Sequence, residues 1–405
     1  MTEIVVPSIE DAVIRVCTAR EPLSRVVVDT FDSTFLAYNT VHGYSQVDFR
    51  RPDNKKLREL SAVLEVHCDF TLTNRLYTGL YLDMIALVAP ETQVVFSRGD
   101  GELAASFWVG EAEAGAIHSA SRRATIAREL AGAQAGRQES ALSRVLGTGR
   151  RMRAGARAAG SAVEDWSKRA ESSNVERPAA TTLVAFGDSY TYGTEIDTIE
   201  LGHEDDAYRS ECAYPYLLAR ELGIEYGANL AESGRGNNKI LRRVCDFVGE
   251  HRHDLSRYLI VVGLTHVGRK GFILRNGWEY LFINNLSAGM EPWVIKTLCT
   301  ELFYPFESDP RMNQEIEHKY WVLRCFLKKL GCRFLIFPIR NFAESDEFFR
   351  NADLGREGAF YFGDKFGFRG VVNQLPLGPE YHPLSEGHAL FARELARVIR
   401  ERGLL

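Results

Sequence analysis

The chain is short of charge imbalance, of cysteine pairs and of long apolar runs, and each shortage narrows what it can be. A formal net charge of −5 over 405 residues is too small to mark a nucleic-acid binder or an acidic tail. The seven cysteines, Cys17, Cys68, Cys212, Cys245, Cys299, Cys325 and Cys332, are odd in number and form no C-x-x-C pair. That argues against a disulfide framework and for reduced thiols in a reducing compartment. No apolar run is long enough to span a bilayer, and the opening Met1-Thr-Glu-Ile-Val-Val-Pro7 lacks the basic stretch and apolar run of a secretory signal. A cytoplasmic protein without a membrane span is therefore expected, with a phage-associated setting as the other location.

What is present is core material. Hydrophobic residues make up 45% of the chain, and its length exceeds the roughly 100 to 200 residues of one typical domain. Composition divides it into three parts. Residues 1–112 hold strand-like runs at Arg25–Asp29, Val63–Thr73, Leu76–Val88 and Gln93–Phe96. The last of these passes through Arg98-Gly-Asp-Gly101 into Glu102–Val109 as a hairpin. A smaller β-rich or α+β domain is expected there, with no catalytic signature. Residues 113–180 are rich in Ala, Arg, Ser and Glu and interrupted by Gly132, Gly136, Gly147 and Gly149, which fits two or three helical pieces. Arg150, Arg151, Arg153 and Arg157 form a basic cluster in this connector, either a solvated face or a docking place for an anionic partner such as a nucleic acid or membrane surface.

From residue 181 to 405 the pattern changes. Apolar runs at Thr182–Phe186, Tyr258–Val262 and Arg333–Phe337 alternate with helix-period segments at Tyr214–Leu222, Lys239–His251, Ile316–Leu330 and Ser385–Glu401. Such alternation predicts βαβ units and a mostly parallel sheet in a three-layer α/β/α domain.

One stretch of this part carries chemistry. In Thr182-Leu-Val-Ala-Phe-Gly-Asp-Ser-Tyr-Thr-Tyr-Gly193 a buried strand runs into a turn holding Ser189 at the carboxyl end of the sheet, where open α/β folds place their ligands. A serine there can bring its hydroxyl and its own N–H to one point, as acyl transfer requires. A turn with a capping serine explains the same residues equally well. Near the other end, Tyr381-His-Pro-Leu-Ser-Glu-Gly-His388 precedes the last helix. His382, on the loop before it, can act as base toward Ser189. Ser385 is expected to cap the helix, and His388, inside it, to be structural.

These residues resemble the SGNH (GDSL-like) hydrolases. Gly187-Asp-Ser-Tyr-Thr191 is similar to their first block, and His382-Pro383 with Gly387-His388 to their last. Asn229-Leu-Ala-Glu-Ser-Gly-Arg-Gly-Asn-Asn238 is similar to the second block, with Gly234 in the place of the oxyanion-binding glycine. With the helix-like Tyr214-Pro-Tyr-Leu-Leu-Ala-Arg-Glu-Leu222, the pattern also resembles SGNH-like proteins of phage genomes. The resemblance covers about residues 181–400 and implies an SGNH-like, flavodoxin-like fold. It further implies a serine esterase or deacylase acting through a Ser-His dyad or triad on small acyl esters, such as O-acetyl groups on a glycan, with no metal or organic cofactor.

Two positions depart from the family pattern. Gly263-Leu-Thr-His266 stands where the family has Gly-x-Asn-Asp, which puts Thr265 in the place of an oxyanion-donating asparagine. Pro379 stands where the family carries its aspartate. The acid is left open among Asp188, Glu380, Asp364 and a backbone carbonyl. His266 and Arg269 are read as substrate contacts or plain surface residues, and Asn237 as part of a loop that could hold an oxyanion. His251, His253 and Asp254 are read as a solvated helix end rather than a metal site. Alternatives to the hydrolase are a catalytically weak or inactive binding or structural module, which the two departures favour, and an acyltransferase using the same residues.

Overall fold

The computed structural model describes residues 3–29, 70–97, 103–108, 180–265, 310–339, 375–379 and 382–405. The connector at 113–179, with its basic cluster, and His266, Arg269, Asp364 and Glu380 lie outside the described residues.

The first sheet is built from β1 (Glu3–Val6), β2 (Arg25–Asp29), β3 (Gln93–Ser97) and β4 (Leu103–Trp108), in that spatial order. β1, β2 and β3 are parallel, and β4 closes antiparallel on β3 as the hairpin pattern predicts. Between them run α1 (Ile9–Thr18) and α2 (Phe70–Val88). The hydroxyl of Ser8 accepts from Asp11 N at 3.1 Å, which starts α1.

Helix α2 corrects the expectation of a strand over Leu76–Val88. Every residue from Leu80 to Leu87 is buried. An apolar run enclosed on all sides has no polar stripe, so periodicity cannot tell helix from strand there. The 19-residue length does, since it exceeds what a single strand of this sheet uses. Of the strand expected over Val63–Thr73, Val63 to Asp69 lie outside the described residues and Phe70 to Thr73 open α2.

The second sheet comprises β5 (Thr182–Phe186), β6 (Glu225–Asn229), β7 (Tyr258–Leu264) and β8 (Arg333–Pro338), all parallel, in the order β6-β5-β7-β8. β5, β7 and β8 are buried along their whole length, as unbroken apolar strands covered on both faces must be. β6 is the edge strand and half-exposed. A Cβ on its Gly227 would fall 2.7 Å from Thr182 Cγ2, beside the shift in register between β5 and β6. Five helices accompany the strands: short α3 (Ser189–Tyr192), α4 (Ile196–Glu200) and α5 (Asp206–Cys212), then α6 (Tyr214–Leu222) and α7 (Asn237–Glu250). α8 (Pro310–Lys329) and α9 (Ser385–Glu401) are the remaining α-helices among the described residues.

Helices α6 and α9 cover one face, where Leu183, Ala185, Val261 and Phe337 pack with Tyr214, Leu218, Phe391 and Leu395. On the other face Val184, Phe186, Ile260 and Ile336 pack with Ile240, Leu241, Leu323 and Phe326 of α7 and α8. The result is a three-layer α/β/α unit, as expected, whose described strands are all parallel. The α7–α8 cluster continues without a break into Ala12, Val13, Tyr81 and Ile85 of α1 and α2.

Buried polar contacts cross the same seam. Lys319 Nζ lies 3.1 Å from Glu10 Oε1, beside the Tyr81 hydroxyl and 4.9 Å from the centre of that ring. Arg242 meets Asp83 at 2.5 Å and His318 meets Asp11 at 3.2 Å. Removing one partner of a buried pair strands the other charge. Lys319→Met is therefore expected to lower unfolding free energy by about 3 kcal/mol or more, read from urea denaturation, and Glu10→Gln in the same chain to recover part of it.

Candidate active site

In strand numbers counted along this sheet, the order is 2-1-3-4, so the chain reverses direction of build between β5 and β7. Loops diverge at such a switch point and leave a crevice at the carboxyl ends of the strands. Ser189 follows β5 and Thr265 follows β7, so both stand at this crevice.

The turn after β5 is tightly specified. A Cβ on Gly187 would overlap the Thr191 hydroxyl, so only glycine lets the strand pass into α3. Asp188 caps α3, its Oδ1 accepting from Tyr190 N at 3.0 Å. Ser189 is the first residue of that helix, and Gly193 ends it in the left-handed region at φ 85°.

From the far end of the chain, His382 sits on a loop closed by pairing of Leu377 with Pro383 and by Gly378 N donating to His382 O at 2.9 Å. Its Nε2 is 2.9 Å from Ser189 Oγ, across 193 positions of sequence. Its Nδ1 is 2.8 Å from Oε2 of Glu195, which also accepts from His382 N at 3.3 Å. Next to a carboxylate Nδ1 carries the hydrogen, so Nε2 is left to accept from the serine hydroxyl. Ser189 is 1% exposed and His382 6%, which keeps these hydrogen bonds out of bulk water.

Glu195 is the residue that sequence reasoning missed. It is the one described non-glycine residue with positive φ, at 74°, a conformation that costs an L-residue about 1–2 kcal/mol. Gly378 lies against its carboxylate so closely that a Cβ there would be 2.7 Å from Oε2. The only trace in the sequence is an acidic residue shortly after Gly193, which belongs to no motif. Asp188, weighed as the acid, is turned elsewhere: Oδ1 takes Tyr190 N and Oδ2 takes the Thr265 hydroxyl at 2.6 Å.

That last contact also settles the geometry of Thr265. The single O–H expected to point toward an oxyanion is directed to Asp188 instead. Asn237 brackets the Thr265 backbone, accepting from its N and donating to its O, both at 2.9 Å. Asn229 Nδ2 donates to Thr191 O at 2.8 Å. The turns after β5, β6 and β7 are thus tied together through Asp188, Asn229 and Asn237. Gly234, in the turn between β6 and α7, is buried with φ 76°.

His388 is buried in α9, stacks on Tyr214 and accepts from Tyr214 N through Nδ1 at 3.0 Å. Burial, with His382 nearby, pushes its pKa down to about 3 against a weaker upward pull from the Pro383 carbonyl. Folding therefore excludes a proton that the unfolded chain binds below its ordinary pKa of 6.5. The stability is full above that pH and declines as pH falls toward 3, by about 1.4 kcal/mol per unit. Urea midpoints measured across this range should show the fall, and His388→Gln should flatten it. His251 stands at the C-terminal end of α7, half-buried, with its Nδ1 3.0 Å from Phe247 O and its ring stacked on Phe247. Among the described residues no three His, Cys, Asp or Glu side chains could hold a metal ion, and no helix is long and apolar enough to cross a membrane.

No family model and no curated protein matches the chain. Among solved structures it is similar to a protein described as lipolytic and of the G-D-S-L family from Desulfitobacterium hafniense DCB-2, at 14% identity and TM-score 0.33, over 54% of this chain and 99% of that one. It is also similar to a family two carbohydrate esterase from Clostridium thermocellum in complex with cellohexaose, at 15% identity and TM-score 0.30, over 57% of this chain and 68% of that one. A further carbohydrate esterase, whose active site is described as having divergent catalytic and non-catalytic binding functions, matches at 15% identity and TM-score 0.28 with the same coverage.

Proposed function

We propose that the chain is a serine esterase or deacylase of the SGNH type, using Ser189 as nucleophile, His382 as base and Glu195 as the acid that orients the base. The observation that carries this reading is the unbroken line of contacts from Ser189 Oγ through the imidazole to Glu195, at 2.9 and 2.8 Å. A hydroxyl, an imidazole and a carboxylate in that sequence form the arrangement that activates a weak oxygen nucleophile.

In the proposed reaction His382 Nε2 takes the proton of Ser189 as Oγ bonds to the acyl carbon, and the carbonyl oxygen becomes an oxyanion. Backbone N–H groups of Ser189 and Gly234 hold that charge. The imidazolium, stabilised by Glu195, gives its proton to the departing alkoxide, leaving acyl-Ser189. Water then attacks the acyl carbon while His382 takes its proton, and the acid leaves as Ser189 recovers its hydrogen. Thr265 acts here by fixing Asp188 and hence the turn that aims Ser189. With the Thr265 hydroxyl directed to Asp188, a hole resting on backbone amides suits a modest rate, since one side-chain donor is worth about 10²–10³ in kcat. Small acyl esters, O-acetyl groups on a glycan among them, are the proposed substrates.

The binding-module reading draws on the same engagement of the Thr265 hydroxyl by Asp188. Incubating the full chain with a fluorophosphonate probe, and separately with aryl acetates and acetylated glycans, separates the two readings. Covalent label mapped to Ser189 by peptide mass spectrometry, with acetate release, is the expected result. A wild-type chain that takes no label and releases no acetate leaves the binding module.

A further inference from the structure

The helix carrying the base's loop begins without a cap of its own. Leu384 stands at the cap position of α9 and offers no side-chain hydrogen bond. Ser385, expected to be that cap, is instead the first helical residue, and its N–H donates to Oε1 of Glu200 at 2.9 Å. The other oxygen of Glu200 accepts from the Tyr208 hydroxyl at 2.8 Å, so the carboxylate is held from behind. A carboxylate supplied from another segment thus caps a 17-residue helix, where its charge also suits the positive end of the helix dipole.

Glu195 is the N-cap residue of the short helix α4 and Glu200 is its last residue. Glu200 grips Ser385 and Glu195 grips His382, three positions apart on the facing segment of the same chain. α4 is itself stapled to the nucleophile's turn. Asp197, 1% exposed, accepts from Arg209 Nη1 at 2.8 Å and from Asp205 N at 2.7 Å. Arg209 Nη2 donates to the Tyr192 hydroxyl at 2.8 Å, with the guanidinium 4.5 Å from the centre of that ring. Tyr192 ends the helix that Ser189 begins. Nucleophile, acid and clamp therefore ride on one braced segment, 189–212, and the histidine loop docks onto it at two points.

We propose that Glu200 is a positioning residue for the base: by capping α9 at Ser385 it fixes the start of that helix, and so the distance from His382 Nε2 to Ser189 Oγ. The inference rests on the hydrolase reading for its kinetic consequence but not for its structural one. A displacement of about 1 Å at a reacting centre can cost about 10²-fold in rate, and loss of a helix cap worth about 1 kcal/mol shifts local opening about fivefold.

The test uses the full chain with Glu200→Ala, Glu200→Gln and Tyr208→Phe. In Glu200→Ala the rate of fluorophosphonate labelling and kcat for an acetyl ester should fall about tenfold or more with KM held. Amide hydrogen exchange over Leu377–Gly387 should speed up about fivefold. Glu200→Gln, whose amide oxygen can still accept from Ser385 N, should recover most of both. Tyr208→Phe leaves the carboxylate in place but unbraced, and should move both readouts in the same direction by less, which decides the matter should Glu200→Ala fail to fold. Wild-type labelling and exchange in Glu200→Ala, or in Tyr208→Phe where the alanine variant does not fold, overturn the proposal. A wild-type chain that takes no label overturns the hydrolase reading, while the exchange readout still decides whether Glu200 holds the loop.

Discussion

Ser189→Ala is expected to lower kcat for ester hydrolysis by about 10⁵-fold or more, and His382→Ala by a similar factor. The reason is that in the proposed reaction the two groups act as one device. Without the hydroxyl there is no atom to acylate; without the imidazole the hydroxyl keeps its proton and remains a poor nucleophile. Losses of this kind do not add, so the double variant should be no worse than either single one. What survives is expected to come from the proposed oxyanion amides and from binding alone, about 10³–10⁴ over water. Neither change should unfold the chain. Ser189→Ala gives up one hydrogen bond, worth about 1 kcal/mol, and His382 sits on a loop outside both hydrophobic clusters. Initial rates on an aryl acetate, with unfolding curves for each variant, check both parts. A Ser189→Ala protein within tenfold of wild type would reassign the nucleophile.

Much of the sheet unit was legible because its strands and helices obey local rules. Thr182–Phe186, Tyr214–Leu222 and Ser385–Glu401 were read with the bounds the structure shows, since a continuous apolar strand and two amphipathic helices carry their own signals. Glu225–Asn229 was missed. An edge strand of sequence Glu-Tyr-Gly-Ala-Asn, half-exposed and broken by a glycine, has neither alternation nor an apolar run. The meeting of Ser189 with His382 could be anticipated because both belong to motifs. Glu195 could not, for two reasons. Its partner is 187 positions away, and a glutamate in the left-handed region breaks the propensity rule by which such a turn would be read. Departures from local rules gather at functional sites. Thr265 is a related case: a hydroxyl can turn to either side, and only the tertiary neighbour Asp188 determines which.

Glu195→Gln is expected to lower kcat by about 10²–10⁴-fold with KM nearly unchanged, because in the proposed reaction Glu195 acts through His382, which its Oε2 contacts at 2.8 Å. The amide oxygen can still accept from His382 Nδ1–H and hold the ring, but the negative charge that stabilises the imidazolium is gone. If the amide nitrogen faces the ring instead, it forces the hydrogen onto Nε2, and the base can no longer accept from Ser189. Glu195→Gly separates this role from folding. It relieves a backbone conformation costing about 1–2 kcal/mol while forfeiting hydrogen bonds worth about 1 kcal/mol each. Its unfolding midpoint should therefore stay near the wild-type value as turnover is lost. Gly378→Ala approaches the same carboxylate from outside, placing a Cβ 2.7 Å from Oε2. It should cut kcat about tenfold or more by displacing the acid, while labelling still maps to Ser189. Full activity in Glu195→Gln and Glu195→Ala together would mean that the His382 loop is held by backbone contacts alone and that the carboxylate has no catalytic part. Loss of turnover with stability retained in Glu195→Gly would instead assign the Glu195 carboxylate to function rather than to folding, since glycine keeps the turn at φ 74° and loses only the side chain.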